Sequence, residues 1–268
     1  MDLASDLTPD PWHPLRTLTP ARIALGRAGG SLPTRELLNF SLAHALARDA
    51  VHQPFDPTQL ERDLAPLNHP ILHLTTAAPD RQTYLLRPDL GRKLADSVTP
   101  ILRHSVTSPP PDLSITCSDG LSALAAHRQI PALLTELLPR LRSANLRLAP
   151  LTIVPLARVA LQDQIGHALN AKLSLILLGE RPGLGSPDSL GAYLVFNPNP
   201  ANTDADRNCV SNIRPEGLPP PAAADLLHYL ITQALRRHLT GVHLKDDRPP
   251  TLPSRPNREG EAPSEPSS

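Results

Sequence analysis

At 268 residues the chain is long enough to bury a continuous apolar core, as one large domain or two small ones. Its 26 basic and 26 acidic side chains cancel, so no overall field draws in nucleic acid or an anionic membrane surface. Aromatic residues are only 3% of the chain, which leaves an aliphatic core and few platforms on which bases could stack.

The cysteines, Cys117 and Cys209, stand far apart with no CxxC or Cys/His spacing around either. Neither a zinc site nor a disulfide framework is expected, and a reducing, cytoplasmic setting fits. The N-terminus MDLASDLTPDPWHPL carries acidic residues and prolines where a signal peptide needs basic residues and an apolar run. No apolar stretch reaches the roughly 18 residues of a membrane span, so a soluble protein is expected.

Residues 1–18 hold Pro9, Pro11 and Pro14 and read as an irregular arm. Residues 19–111 form a helical and mixed extension. Its first element is a helix over 34–51, with Thr34 as cap and Leu38, Leu42, Ala45 and Leu46 as an apolar stripe opposite Asn39, His44, Arg48 and Asp49. ILHLTT (71–76) and TYLLR (83–87) read as short strands, followed by a helical turn over 88–92.

From residue 112 the pattern alternates. LSITC (113–117), LTIVPL (151–156) and LSLILLG (173–179) are continuous apolar strands. Between them lie helices over 120–143, broken near Pro131 and Pro139, and over 159–170. GAYLVF (191–196) adds a strand, and a helix over 221–239 ends at Gly241 as its C′ glycine. Residues 112–245 are therefore expected to form an α/β domain, a Rossmann-like parallel sheet flanked by helices. Residues 246–268, rich in Pro, Ser and charge, read as a disordered tail.

In such sheets ligands sit at the carboxyl ends of the strands, which selects the loops Ser118-Asp119-Gly120, Ala157-Arg158-Val159 and Glu180 to Gly185. A plain structural account is also available: Asp119 as a helix cap, Val159 as core and Glu180 as a surface partner of Arg181. GERPGLG (179–185) has neither GxGxxG nor GxxxxGK[ST] spacing, so it is no nucleotide fingerprint; its glycines permit close approach of a flat ligand. His69 and His73 flank Pro70 in a strand-like run, which makes a poor metal face. His44, Arg48 and Asp49 suit a solvated or subunit-contacting face, and residues 28–31 (AGGS) an anion nest or a simple turn.

The same segments carry a resemblance. ARIALGRAGGSLPTRELLNFSLAHALARDAV (21–51), YLLRPDLGRKL (84–94), SDGLSA (118–123), RVALQDQIG (158–166), LLGERPGLGSPDSL (177–190) and ADRNCVSNIRPEG (205–217) are similar to the small subunit of ethanolamine ammonia-lyase, in the family's order. The likeness spans roughly residues 19–239. It implies a heteromeric, adenosylcobalamin-dependent enzyme that converts ethanolamine to acetaldehyde and ammonia by radical chemistry. In that family the substrate lies in a barrel of the large subunit and the cofactor lies between the subunits.

Val159, Glu180 and Cys209 match the family's cofactor-binding positions; no catalytic residue and no metal ligand falls to this chain. By that resemblance Glu180 accepts from corrin amides, Val159 packs, and Cys209 touches the corrin periphery. The DxHxxG motif of proteins that replace the cofactor's own base with histidine is absent, so base-on binding is expected. Members packaged in bacterial microcompartments resemble one another in a short N-terminal helix; here prolines occupy that region, which leaves packaging open. The rival reading is a stand-alone doubly wound module for a nucleotide-like ligand, and a third is a purely structural subunit.

Overall fold

The computed structural model describes residues 7, 8 and 10–249. The strand pair Leu7–Thr8 (β1) and Arg27–Ala28 (β2) is antiparallel, with a 3-10 turn at His13–Thr17 between. Helices Thr34–His52 (α1) and Pro57–Leu64 (α2) lead to strand Ile71–His73 (β3), then to short helices Arg81–Leu86 (α3) and Thr99–His104 (α4). Next come Leu113–Ser118 (β4), Ala123–Ser143 (α5), Leu151–Ile153 (β5), Leu161–Ala168 (α6) and Leu173–Gly179 (β6). Leu190–Phe196 (β7), Arg207–Ile213 (β8) and Pro220–Arg237 (α7) complete the fold.

The strands from β3 onward make one six-stranded sheet in the order β3-β5-β4-β6-β7-β8. β3, β5, β4 and β6 are parallel, while β7 and β8 add an antiparallel edge. Every residue of β4, β5 and β6 is buried, as strands covered on both faces require. The α/β class expected from the sequence is thus observed, with β3 and α2, from before residue 112, built into the same sheet and core.

Leu133, Leu137 and Leu141 of α5 and Leu227 and Ile231 of α7 pack on one face of the sheet. Leu161 and Ile165 of α6 and Leu102 of α4 pack on the other. The helices that follow the neighbouring strands β4 and β5 therefore lie on opposite faces. That is the switch point at which a crevice opens beyond the strand ends.

Several expectations are corrected. TYLL of TYLLR is helical: the Asp80 side chain accepts from the Thr83 N–H at 2.7 Å and starts α3, which Pro88 helps to end at Leu86. Pro131 and Pro139 do not break α5, because five leucines buried along its length outweigh the roughly 3 kcal/mol that an internal proline costs. His238, at φ 57°, takes the left-handed position after α7 that Gly241 was expected to fill. Thr34 makes no side-chain cap on α1, and Ser122, not Asp119, caps α5 by accepting from the Ala125 N–H.

The expected stripe on α1 is the largest departure. Only Ala47 and Ala50 of that helix are buried, while Leu38 and Leu42 are 62% and 60% exposed. The expectation for the C-terminal tail lies outside the described residues except at 246–249.

Candidate functional site

The crevice is assembled around Asp119, at the end of β4. This buried carboxylate accepts from the Leu156 N–H at 2.7 Å, from the Ser118 hydroxyl and, at 2.8 Å, from the Arg81 guanidinium. Burial nonetheless raises its pKa against those three partners. The bond to Leu156 holds that residue at φ 59°, a conformation an L side chain rarely adopts, and the Ala157 N–H donates to Ser118 at 3.1 Å. The loop after β5 is in this way fastened onto the loop after β4.

The end of β6 is fastened as tightly. A Cβ on Gly179 would stand 2.1 Å from the Ser122 carbonyl oxygen, so only glycine lets β6 pass under the start of α5. α3 then closes one side. Buried Tyr84 donates its hydroxyl to the Ala157 carbonyl at 3.0 Å, and burial pushes its pKa up to about 12. The Arg158 guanidinium lies 4.2 Å from the Tyr84 ring centroid and donates to the Tyr84 carbonyl at 3.3 Å. Arg158 Nε is buried without a partner among the described residues.

The result is a cleft of about 400 Å³ lined by Tyr84, Gly120, Arg158, Val159, Glu180 and Tyr193, among others. The sequence-selected residues Val159 and Glu180 meet here. Val159 is partly buried against the α6 side of the core. Glu180 accepts from the Ser189 hydroxyl and from the Asn212 N–H at 3.4 Å, and among the described residues it forms no ion pair with Arg181.

Cys209 is not a lining residue. It lies exposed on β8 directly opposite Tyr193 of β7, so it extends the wall by one strand. Desolvation raises its thiol pKa, with a contribution from the Glu180 charge; desolvation likewise raises the Tyr193 phenol.

Other candidates separate. His69 bonds the Ala149 carbonyl and His73 bonds Glu61, so the two histidines do not converge. Among the described residues no group of three metal-ligating side chains occurs. His44, Arg48 and Asp49 are exposed on α1, and in the turn at 28–31 the Ala28 and Ser31 N–H groups each donate to the other's carbonyl. The cleft can therefore bind and orient: it offers a glycine-floored surface, an acidic acceptor and a guanidinium, which fits a flat ligand bearing amides.

A family model for the ethanolamine ammonia-lyase light chain matches residues 9–245. This chain belongs to the ethanolamine ammonia-lyase light-chain family. It is 51% identical over 244 residues to the ethanolamine ammonia-lyase small subunit of Pseudomonas fluorescens SBW25, covering 90% of this chain and 88% of that one. It is 53% identical over 245 residues to that of Azotobacter vinelandii DJ, covering 91% of each. It is 51% identical over 244 residues to that of Xanthomonas campestris pv. campestris ATCC 33913, covering 90% of each.

In this light-chain family member, four of the six segments that carried the resemblance build the cleft, 84–94, 118–123, 158–166 and 177–190; 205–217 lies on the strand beyond, and 21–51 does not line it. Reading residue types alone missed Tyr84 and Tyr193. Tyr84 was placed on a strand, and nothing in the alternation of β7 says that Tyr193, at its middle, lines a cleft.

Proposed function

We propose that this chain is the small subunit of ethanolamine ammonia-lyase, and that its cleft forms one wall of an adenosylcobalamin site closed by the large subunit. The carrying observation is that Val159 and Glu180, distant in sequence, line one crevice at the switch point of a chain of this family, with Cys209 on the adjoining strand. A cavity of about 400 Å³ holds only part of a corrinoid, so the rest of the enclosure must come from another polypeptide.

Bound there base-on, adenosylcobalamin supplies the radical that starts conversion of ethanolamine to acetaldehyde and ammonia. This chain's residues orient and shelter it. Glu180, held by Ser189 and Asn212, presents a fixed acceptor to peripheral amide NH₂ groups; Val159 and Tyr193 offer apolar contact that excludes water; Cys209 touches the periphery. Residues 112–245 are the cofactor-contacting unit in this reading, and 19–111 supply Tyr84 and the partner-facing helix.

α1 supports the need for a partner. Leu38, Leu42 and Leu46, spaced four apart, are exposed in one row on it, and Leu37 and Phe40 are exposed as well, apolar surface of the kind that marks an interaction site. The large subunit is its occupant in this proposal. The described residues contain no helix long and apolar enough to cross a membrane.

The test is co-expression with the cognate large subunit. A stable complex that binds adenosylcobalamin and forms acetaldehyde from ethanolamine is expected, with neither chain sufficient alone. Association that fails, or a large subunit equally active without this chain, would overturn the reading.

A further inference from the structure

Beside the cleft, and sharing Arg158 and Val159 with it, is a second cavity of about 480 Å³ whose walls include Arg92, Asn202, Asp204 and Arg207. Three guanidinium groups meet there against one exposed carboxylate. Arg207 is already answered: its side chain is buried, bonded to Asp163 beneath it and to Asp204 at 3.1 Å. Arg92 and Arg158 are paired with no carboxylate among the described residues. Arg158 is also held in place, by its stacking on Tyr84 and its bond to the Tyr84 carbonyl, while its buried Nε donor is unmet. A fixed guanidinium with no carboxylate partner, in a cavity whose walls hold a second such guanidinium, is a receptor for an oxyanion.

We infer that this cavity receives a phosphodiester, that of the nucleotide tail of the cobalamin whose corrin lies on the adjoining cleft. The inference rests on the proposed function. The tail is tethered to the corrin periphery, so its phosphate must fall beside the macrocycle, and the cavity adjoins the cleft, with Arg158 and Val159 in the walls of both. A phosphodiester keeps its charge at every working pH and has two free oxygens for two guanidinium forks. Asp204 does not oppose it strongly, being exposed and paired with Arg207.

The experiment uses the complex of this chain with its large subunit, titrated by corrin absorbance with adenosylcobalamin and with adenosylcobinamide, which lacks the nucleotide. Arg92→Gln and Arg158→Gln should each bind adenosylcobalamin about tenfold more weakly. Arg92 lies outside the cleft, so the adenosylcobinamide affinity of Arg92→Gln should match wild type, and Arg92→Lys should restore part of the cobalamin affinity. Unchanged cobalamin affinity in both glutamine variants, or equal loss for both corrinoids in Arg92→Gln, overturns the inference. If Arg158→Gln does not assemble, exposed Arg92 decides alone; if cobinamide binds too weakly to titrate, the contrast of Arg92→Gln with Arg92→Lys decides.

Inorganic phosphate separates the two sources of the anion. Calorimetric phosphate binding that cobalamin abolishes supports the tail, whereas tight phosphate binding indifferent to bound cobalamin assigns the cavity to a free anion and overturns the inference. A wild-type complex that binds no corrinoid would instead sink the proposed function itself.

Discussion

Arg81 donates to Asp119 at 2.8 Å and, through the same nitrogen, to the Gly120 carbonyl, while its other nitrogens hold the Val51 carbonyl at the end of α1. One side chain thus ties α1 and α3 to the rim of the central strand. Arg81→Met leaves the buried Asp119 charge with only Leu156 and Ser118 for partners, and should cost about 3 kcal/mol of stability at neutral pH. The sign with pH follows from burial, which already raises Asp119 above 3.8 and raises it further once Arg81 is gone. A carboxyl whose folded pKa exceeds its unfolded one contributes stability that falls as pH rises between the two. The deficit of the variant should therefore grow from about pH 4 toward neutrality. Urea midpoints across that range decide it, and a pH-independent deficit would count against a charged Asp119.

Glu180→Gln keeps the shape of the side chain but replaces an acceptor oxygen with a donor. The Ser189 hydroxyl can rotate to accommodate the change; the Asn212 N–H cannot. The assembled complex should hold adenosylcobalamin about tenfold more weakly, with assembly itself unaltered. Equal affinity in a titration of wild type and variant would remove Glu180 from the cofactor wall.

How much of this was legible beforehand depended on what each residue answers to. The strands β4, β5 and β6 are buried on both faces, so their apolar runs had no competing demand and could be read directly, except that β5 stops at Ile153 where the run to 156 was expected to be strand. β8 was missed because RNCVSNI puts Arg207, Asn208 and Asn212 on an edge strand, and only its pairing with β7 explains them. α1 was read correctly as a helix and wrongly as amphipathic packing, because periodicity reports an apolar face and not what covers it. At the site, Val159 and Glu180 followed from the rule of strand ends, strengthened by family likeness. Tyr84 and the Arg81–Asp119 contact join elements 38 or more positions apart, which no local pattern encodes.

The exposed leucines of α1 give a test of the partner face that does not touch the cleft. Leu38→Ser with Leu42→Ser alters side chains already in water, so the fold should change by less than about 0.5 kcal/mol. Light scattering of the isolated chain should show less self-association, and co-purification with the large subunit should fall at least tenfold. Undiminished co-purification would move the interface elsewhere.

Asp112 offers a pH dependence of the opposite sign. Just ahead of β4, it accepts from the Arg147 N–H at 2.9 Å and lies 2.9 Å from Lys172 Nζ, joining the segments that lead into β5 and β6. Burial acts to raise its pKa, but the Arg147 N–H and the Lys172 ammonium outweigh that and hold it below 3.8. A carboxyl depressed in the folded state contributes stability that is present above the unfolded value and lost as pH falls toward the folded one. Asp112→Asn should therefore cost about 1–2 kcal/mol near pH 7, and the gap from wild type should close only below about pH 4, where the wild-type carboxyl also becomes neutral. Urea midpoints of the two proteins at matched pH values follow the gap directly. A gap that stays constant through the acid range would mean that the charge of Asp112 does nothing beyond what its amide isostere does.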